Sequence, residues 1–147
     1  TFETAKELGV EVQYHAIEKF PITPEEAIAL GEAGMQGALP YLLATPNVPL
    51  KVGDSSFTLF VEDLRTFTAE QGAYDLIYFD AFAPSAQPEL WSDAIFENMY
   101  DLLSKGGILT TYCAKGVVKR SMKAAGFEVE ALPGPPRKRE MTRAWKR

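Results

Sequence analysis

Three carboxylates draw attention by where they stand. Glu18, Asp63 and Asp80 each follow a run of residues that reads as a β-strand. In an open α/β sheet, ligands bind outside the carboxyl ends of the strands. One carboxylate there can accept both hydroxyl protons of a ribose, a second can accept from an adenine amino group, and a third, nearer the sheet centre, can face a reacting group. A strand-terminal acid can also do no more than cap the next helix, but three in succession, each closing its own strand, argue against coincidence. Cys113 closes an apolar strand with no acid or histidine in its local sequence, so it reads as a small buried residue. His15 falls mid-strand and reads as structural; no metal site is expected, since nothing has ligand spacing.

The elements that must position these acids alternate. Residues 1–8 read as the last turns of a helix stopped by Gly9. Val10, Val12, Tyr14 and Ala16 alternate with polar neighbours and predict a strand over 10–17, ending at Glu18. Thr23-Pro24-Glu25-Glu26 is a helix start with a capping box, and the glycines at 31, 34 and 37 keep that helix short. Residues 40–49 read as a loop. Phe57, Leu59 and Val61 predict a second strand, followed by a short helix over 64–71. The apolar run 74–79 suits a strand buried on both faces of a parallel sheet. A helix over 91–103 capped by Ser92, a strand over 108–113, a helix over 117–125 and strands over 127–132 and 141–145 complete the chain, the last pair antiparallel. This alternation predicts a single α/β domain over 1–147 with an open sheet.

One part of a nucleotide-binding α/β domain is missing. No glycine-rich turn follows a first strand: Gly31-Glu32-Ala33-Gly34 has glycines with no strand before it. The expectation is that this strand and turn lie upstream of residue 1. A chain standing alone is then expected to be weakly stable, to take a partner or a second copy at the gap, or to rearrange its sheet.

Composition bounds the rest. The chain has 147 residues, 46% hydrophobic and 24% charged, enough for one domain with a real core. A single cysteine excludes an internal disulfide and points to a reducing compartment, the cytoplasm. No apolar run approaches the roughly 20 residues needed to span a bilayer. The net charge of −5 is unevenly spread: residues 115–147 carry ten Lys or Arg against three Glu, while residues 1–114 hold a net −12. A basic quarter on an acidic body suits an anionic partner such as nucleic acid, or is simply a solvated tail.

Several words are more specific. Phe79-Asp80-Ala81-Phe82-Ala83-Pro84 and Pro88-Glu89-Leu90-Trp91 resemble the motif of the tRNA 5-methylaminomethyl-2-thiouridine methyltransferases. The blocks Gly107-Ile108-Leu109-Thr110-Thr111-Tyr112, Val118-Lys119-Arg120, Ala125-Gly126-Phe127 and Lys138-Arg139-Glu140-Met141 follow in that family's order. The resemblance implies the class I methyltransferase (Rossmann-like) fold, an open, mostly parallel sheet with an antiparallel C-terminal strand, and S-adenosyl-L-methionine as cofactor. In its order, the missing first strand would lie between the strands ending at Glu18 and Asp80. It implies ribose binding by Glu18, adenine contact by Asp63 with Leu64 beside it, and an Asp80–Phe82 pair facing the methyl donor and the incoming amine.

The implied reaction methylates the aminomethyl nitrogen of a modified wobble uridine, 5-aminomethyl-2-thiouridine, in tRNA. An alkylammonium of lysine-like pKa, about 10.4, has no lone pair, so the site must favour the neutral amine and align it. Asp80 can accept an amine hydrogen bond and orient that lone pair, or take its proton. Phe82 can stack on the uracil or pack in the core. Trp91 reads as core, and Lys115, Lys119, Arg120, Lys123, Arg137, Lys138 and Arg139 are candidates for tRNA phosphates. Two alternatives stay open: an aminopropyl transferase of the spermidine synthase type, against which the basic tail argues, and a non-catalytic RNA-binding fragment.

Overall fold

The computed structural model describes residues 1–134 and 140–147, which fall into two compact units, Thr1–Phe67 and Thr68–Arg147. In the first, α1 (Phe2–Leu8) ends on Gly9, whose φ of 66° lets its N–H return to the helix carbonyls. Strand β1 (Gln13–Ile17) begins later than its alternation predicts, because the preceding backbone is drawn elsewhere. Val10 N–H goes back to Ala5 of the helix and Val12 N–H to the Ser55 hydroxyl.

Helix α2 (Pro24–Leu30) starts on the expected capping box: Glu26 N–H reaches the Thr23 hydroxyl, and the Glu26 carboxylate takes Thr23 N–H. A wide turn over Gly31–Met35, a 3-10 turn over Gln36–Ala38 and a one-turn α3 (Leu39–Leu42) follow, so the first part of the expected loop is helical. Strand β2 (Leu50–Val52) has no signature in the sequence, because three residues are too few for a period-2 pattern to emerge. It forms a hairpin with β3 (Ser55–Phe60) across Gly53, at φ 64°. The sheet order is β1-β3-β2, with β1 and β3 parallel. Phe2, Tyr14, Phe57 and Tyr41 close a ring of aromatic contacts with centroids 5.1 to 5.9 Å apart, the Phe2–Tyr41 and Tyr14–Phe57 pairs stacked and the other two tilted or edge-on.

The expected helix over 64–71 is absent. Only one turn forms there, with Thr66 and Phe67 N–H on the Asp63 carbonyl. Asp63 supports that turn with its side chain, which takes Arg65 N–H, and Thr66, Phe67 and Thr68 are poor residues for carrying a helix on.

The second unit holds β4 (Tyr74–Tyr78), α4 (Asp93–Leu102), β5 (Leu103–Thr111), α5 (Gly116–Ala124), β6 (Glu128–Pro133) and β7 (Glu140–Trp145), in sheet order β4-β5-β7-β6. Strands β4 and β5 are parallel, and β7 is antiparallel to both of its neighbours. Among the described residues, five of the seven strands therefore run in the common direction of their sheets, with β2 and β7 the exceptions. Strand β5 starts directly at the end of α4, earlier than expected; Gly106 and Gly107 lie within it, and Gly106 takes φ 84°.

Phe79, Trp91, Phe96, Met99, Leu109, Val118 and Met122 are all buried. Strand β4 is less buried than its apolar run suggests, with Leu76 42% and Tyr78 51% exposed. The reason is that β4 is an edge strand, paired among the described residues only with β5. Strand β1 is likewise at an edge of its sheet. These are the two strands that end at Glu18 and Asp80.

Candidate functional site

Parallel pairing decides which side chains meet. In the first unit, β1 and β3 run together to Ile17 and Phe60, and Glu18 N–H continues the ladder onto the Phe60 carbonyl at 2.9 Å. Glu18 and Asp63 therefore leave the sheet at the same end. The exposed Glu18 carboxylate accepts Phe20 N–H through Oε1 at 2.8 Å, which fixes its direction and leaves Oε2 as an acceptor for a ligand.

Asp63 is held quite differently. Lys19 Nζ donates to its Oδ2 at 2.9 Å, and the Arg65 guanidinium and backbone N–H close on it from the other side. The Arg65 contact first, and Lys19 second, hold its carboxyl well below the usual carboxylate range. With both oxygens engaged by cations, Asp63 ties the ends of β1 and β3 together; half-buried Leu64 stands next to it.

In the second unit, Asp80 and Phe82 follow β4 while Tyr112 follows the parallel β5, which brings them to one end of the sheet. Asp80, Ala81, Phe82, Ala83 and Tyr112 line an open depression of about 350 Å³. Phe82 is 73% exposed. Burying a phenylalanine side chain is worth roughly 1.5–3 kcal/mol, so a ring left in water needs something to hold it there.

The restraint is visible in the backbone. The Tyr112 hydroxyl donates to the Ala81 carbonyl at 2.7 Å, the Trp91 indole N–H donates to the Phe82 carbonyl at 2.8 Å, and Phe82 N–H donates to Gln87 Oε1 at 3.3 Å. Trp91 is itself fixed by edge contacts with Phe79 and Tyr112, at 5.0 and 6.2 Å between centroids. The core reading of Trp91 holds, with its one polar atom turned to the loop. Burial, then the neighbouring Cys113 and Asp80, push the Tyr112 phenol up from its ordinary pKa. Among the described residues, no hydrogen bond or ion pair occupies the Asp80 carboxylate.

The remaining expected residues lie apart from this depression. Lys115, Arg120 and Lys123 are exposed on or just before α5, and Lys119 is paired with Glu140 at 3.0 Å. Arg137, Lys138 and Arg139 lie outside the described residues. Cys113 is buried as expected, its carbonyl accepting from the Thr142 hydroxyl. His15 packs edge-on against Phe60 at 5.1 Å, and burial lowers its pKa. No group of three metal-ligating side chains occurs among the described residues, and none of their helices is long and apolar enough to cross a membrane.

Tyr112 and Gln87 are the residues that sequence reasoning misses. The strand-end rule, applied to acids alone, passes over Tyr112, which satisfies it one position after β5. Gln87 carries no sequence signal, since its role depends on a loop folding back over five residues.

The donor chemistry suits a nucleoside-bearing ligand. The Glu18 carboxylate keeps one oxygen clear of Phe20 N–H, whereas both Asp63 oxygens are committed to Lys19 and Arg65. In an open α/β sheet, ligands bind outside the carboxyl ends of the strands, which is where these acids stand. A family model described as S-adenosyl-L-methionine-dependent methyltransferase matches residues 31–147, and the chain belongs to that family.

A relative from Chromobacterium violaceum, named tRNA 5-methylaminomethyl-2-thiouridine biosynthesis bifunctional protein MnmC, is 32% identical over 155 residues, covering 98% of this chain and 24% of the relative. Its namesake from Pseudoalteromonas atlantica is 50% identical over 74 residues, covering 50% of this chain and 10% of the relative. The chain thus spans at most about a quarter of the length of these relatives. Among solved structures, MNMC2 from Aquifex aeolicus matches with TM-score 0.64 at 24% identity, covering 94% of this chain and 45% of that one. A putative S-adenosylmethionine-dependent methyltransferase from Listeria monocytogenes gives 0.57 at 11% identity, covering 98% and 84%. Both likenesses establish the class I methyltransferase fold.

Proposed function

We propose that the chain is the methyltransferase part of a tRNA-modifying enzyme acting on the aminomethyl nitrogen of a modified wobble uridine, 5-aminomethyl-2-thiouridine. The observation that carries this is the pairing of the Asp80 carboxylate with the exposed ring of Phe82 on one depression, within the segment whose residue order resembles that family. The names of the relatives from Chromobacterium violaceum and Pseudoalteromonas atlantica point the same way.

S-adenosyl-L-methionine, when bound, supplies an electrophilic methyl group on a sulfonium. Glu18 takes its ribose hydroxyls through the acceptor that Phe20 leaves available, and Leu64 takes its adenine. Asp63 serves here by holding Lys19 and Arg65 at the strand ends. Asp80 accepts an N–H of the neutral amine, which turns the nitrogen lone pair outward for in-line attack, and it receives or relays the proton released. Phe82 stacks on the uracil face, a contact that tolerates the substituent at the ring's edge. Lys115, Arg120 and Lys123 supply sequence-blind contacts to tRNA phosphates, joined by Arg137, Lys138 and Arg139; Lys119 does so only when released from Glu140. The substrate places the activity in the cytoplasm, and the open edge of β4 is where a second copy would pair.

Transfer of labelled methyl from S-adenosyl-L-methionine to tRNA bearing the aminomethyl uridine tests the reading. Label on that base supports it, and label on no RNA, with tRNA still bound, overturns it.

A further inference from the structure

The Asp80–Phe82 loop is held by its backbone, through side chains that the proposed chemistry does not otherwise use. We propose that Tyr112, Gln87 and Trp91 are positioning residues: a three-point clamp that presets the loop so that the Phe82 ring and the Asp80 carboxylate face the depression before substrate arrives. The consequence for catalysis rests on the methyltransferase reading above; the clamp itself does not.

Each point acts on a different group. Tyr112 takes the Ala81 carbonyl from β5's end, Trp91 takes the Phe82 carbonyl from the turn Pro88–Trp91, and Gln87 takes Phe82 N–H. Two successive carbonyls and the amide between them are thereby fixed, which sets the direction in which the Phe82 Cα–Cβ bond leaves the loop. The loop closes on itself further, with Ala86 and Gln87 N–H both on the Ala83 carbonyl at 2.7 and 3.0 Å. Trp91, at 6% exposure, gives the clamp a rigid anchor, and Tyr112 leans on it edge to face. A site that must align an amine, a methyl and a sulfur gains from such preorganisation, because a shift of about 1 Å can cost a hundredfold in rate.

Amide hydrogen exchange on the chain, wild type against Tyr112→Phe and Gln87→Leu, tests the clamp. Tyr112→Phe keeps the ring on Trp91 and removes only the hydroxyl; Gln87→Leu changes a half-buried side chain outside the sheet. The expected result is exchange at least tenfold faster over residues 81–87 in both variants, with β5 and α4 unchanged. For Tyr112→Phe, kcat for tRNA methylation, expressed per folded enzyme, is expected to fall about tenfold while KM for S-adenosyl-L-methionine stays the same; a smaller folded fraction would instead show as faster exchange in β5 and α4. Unchanged loop exchange in both variants overturns the proposal, and so does acceleration spread evenly over the unit. A wild type that methylates no tRNA, with acceleration confined to the loop in the variants, counts against the proposed function and supports the clamp.

Discussion

Asp63 and Asp80 each follow a strand that has a parallel neighbour, yet the fold treats them oppositely. Asp63 is fixed through its carboxylate, which Lys19 and Arg65 enclose. Asp80 sits in a loop fixed through its backbone, by Tyr112, Trp91 and Gln87, and lines a depression. A carboxylate with its lone pairs committed is a strut, and one presented by a loop that other groups hold is available for chemistry. Position at a strand end does not distinguish the two; what occupies the oxygens does.

The sharpest way to break this contrast is Asp80→Asn. General acid–base groups contribute about 10²–10⁴-fold, so methyl transfer should fall at least a hundredfold in a single-turnover assay. The melting temperature should hold, since the side chain is exposed. Phe82→Ala should come next. Stacking on one base is worth about 1–3 kcal/mol, which predicts tRNA binding weaker by roughly 5- to 150-fold in a titration. Its stability should not suffer, because the ring buries little surface.

Asp63 should report through stability rather than rate. Its folded pKa lies below its unfolded value of about 3.9, so its pairing contributes stability that is fully present above about pH 4 and is lost as pH falls through the folded value. Denaturant midpoints for Asp63→Asn should lie below wild type at pH 7 and converge on it as the pH falls below about 4. Methyl transfer by that variant should drop less than about tenfold. The smallest effect is expected from Lys115→Ala with Lys123→Ala: the slope of log binding constant against log salt should become shallower by roughly 0.7–0.9 for each phosphate left without its lysine.

Much of this was legible in the sequence. The helix caps at Gly9 and Thr23, the antiparallel end of the sheet and the placement of all three acids follow from short-range rules that tertiary contacts did not disturb. The misses share a cause. The helix over 64–71 fails because Asp63 uses its side chain on its own turn, and β4 is not buried on both faces because among the described residues it has one neighbour. Part of the difference between a strut and a presented carboxylate is local, since Arg65 stands two residues from Asp63 and holds it most; the rest lies in Lys19 and Tyr112, 44 and 32 residues from the acids they bear on, which no local pattern carries.

The measurement that tests the central claim most directly is methyl transfer to tRNA bearing the aminomethyl uridine, with wild type, Asp80→Asn and Asp63→Asn side by side. Activity in wild type, a drop of less than about tenfold in Asp63→Asn and a drop of about a hundredfold or more in Asp80→Asn is the predicted result. Equal drops in the two variants, or activity that survives Asp80→Asn, would contradict it.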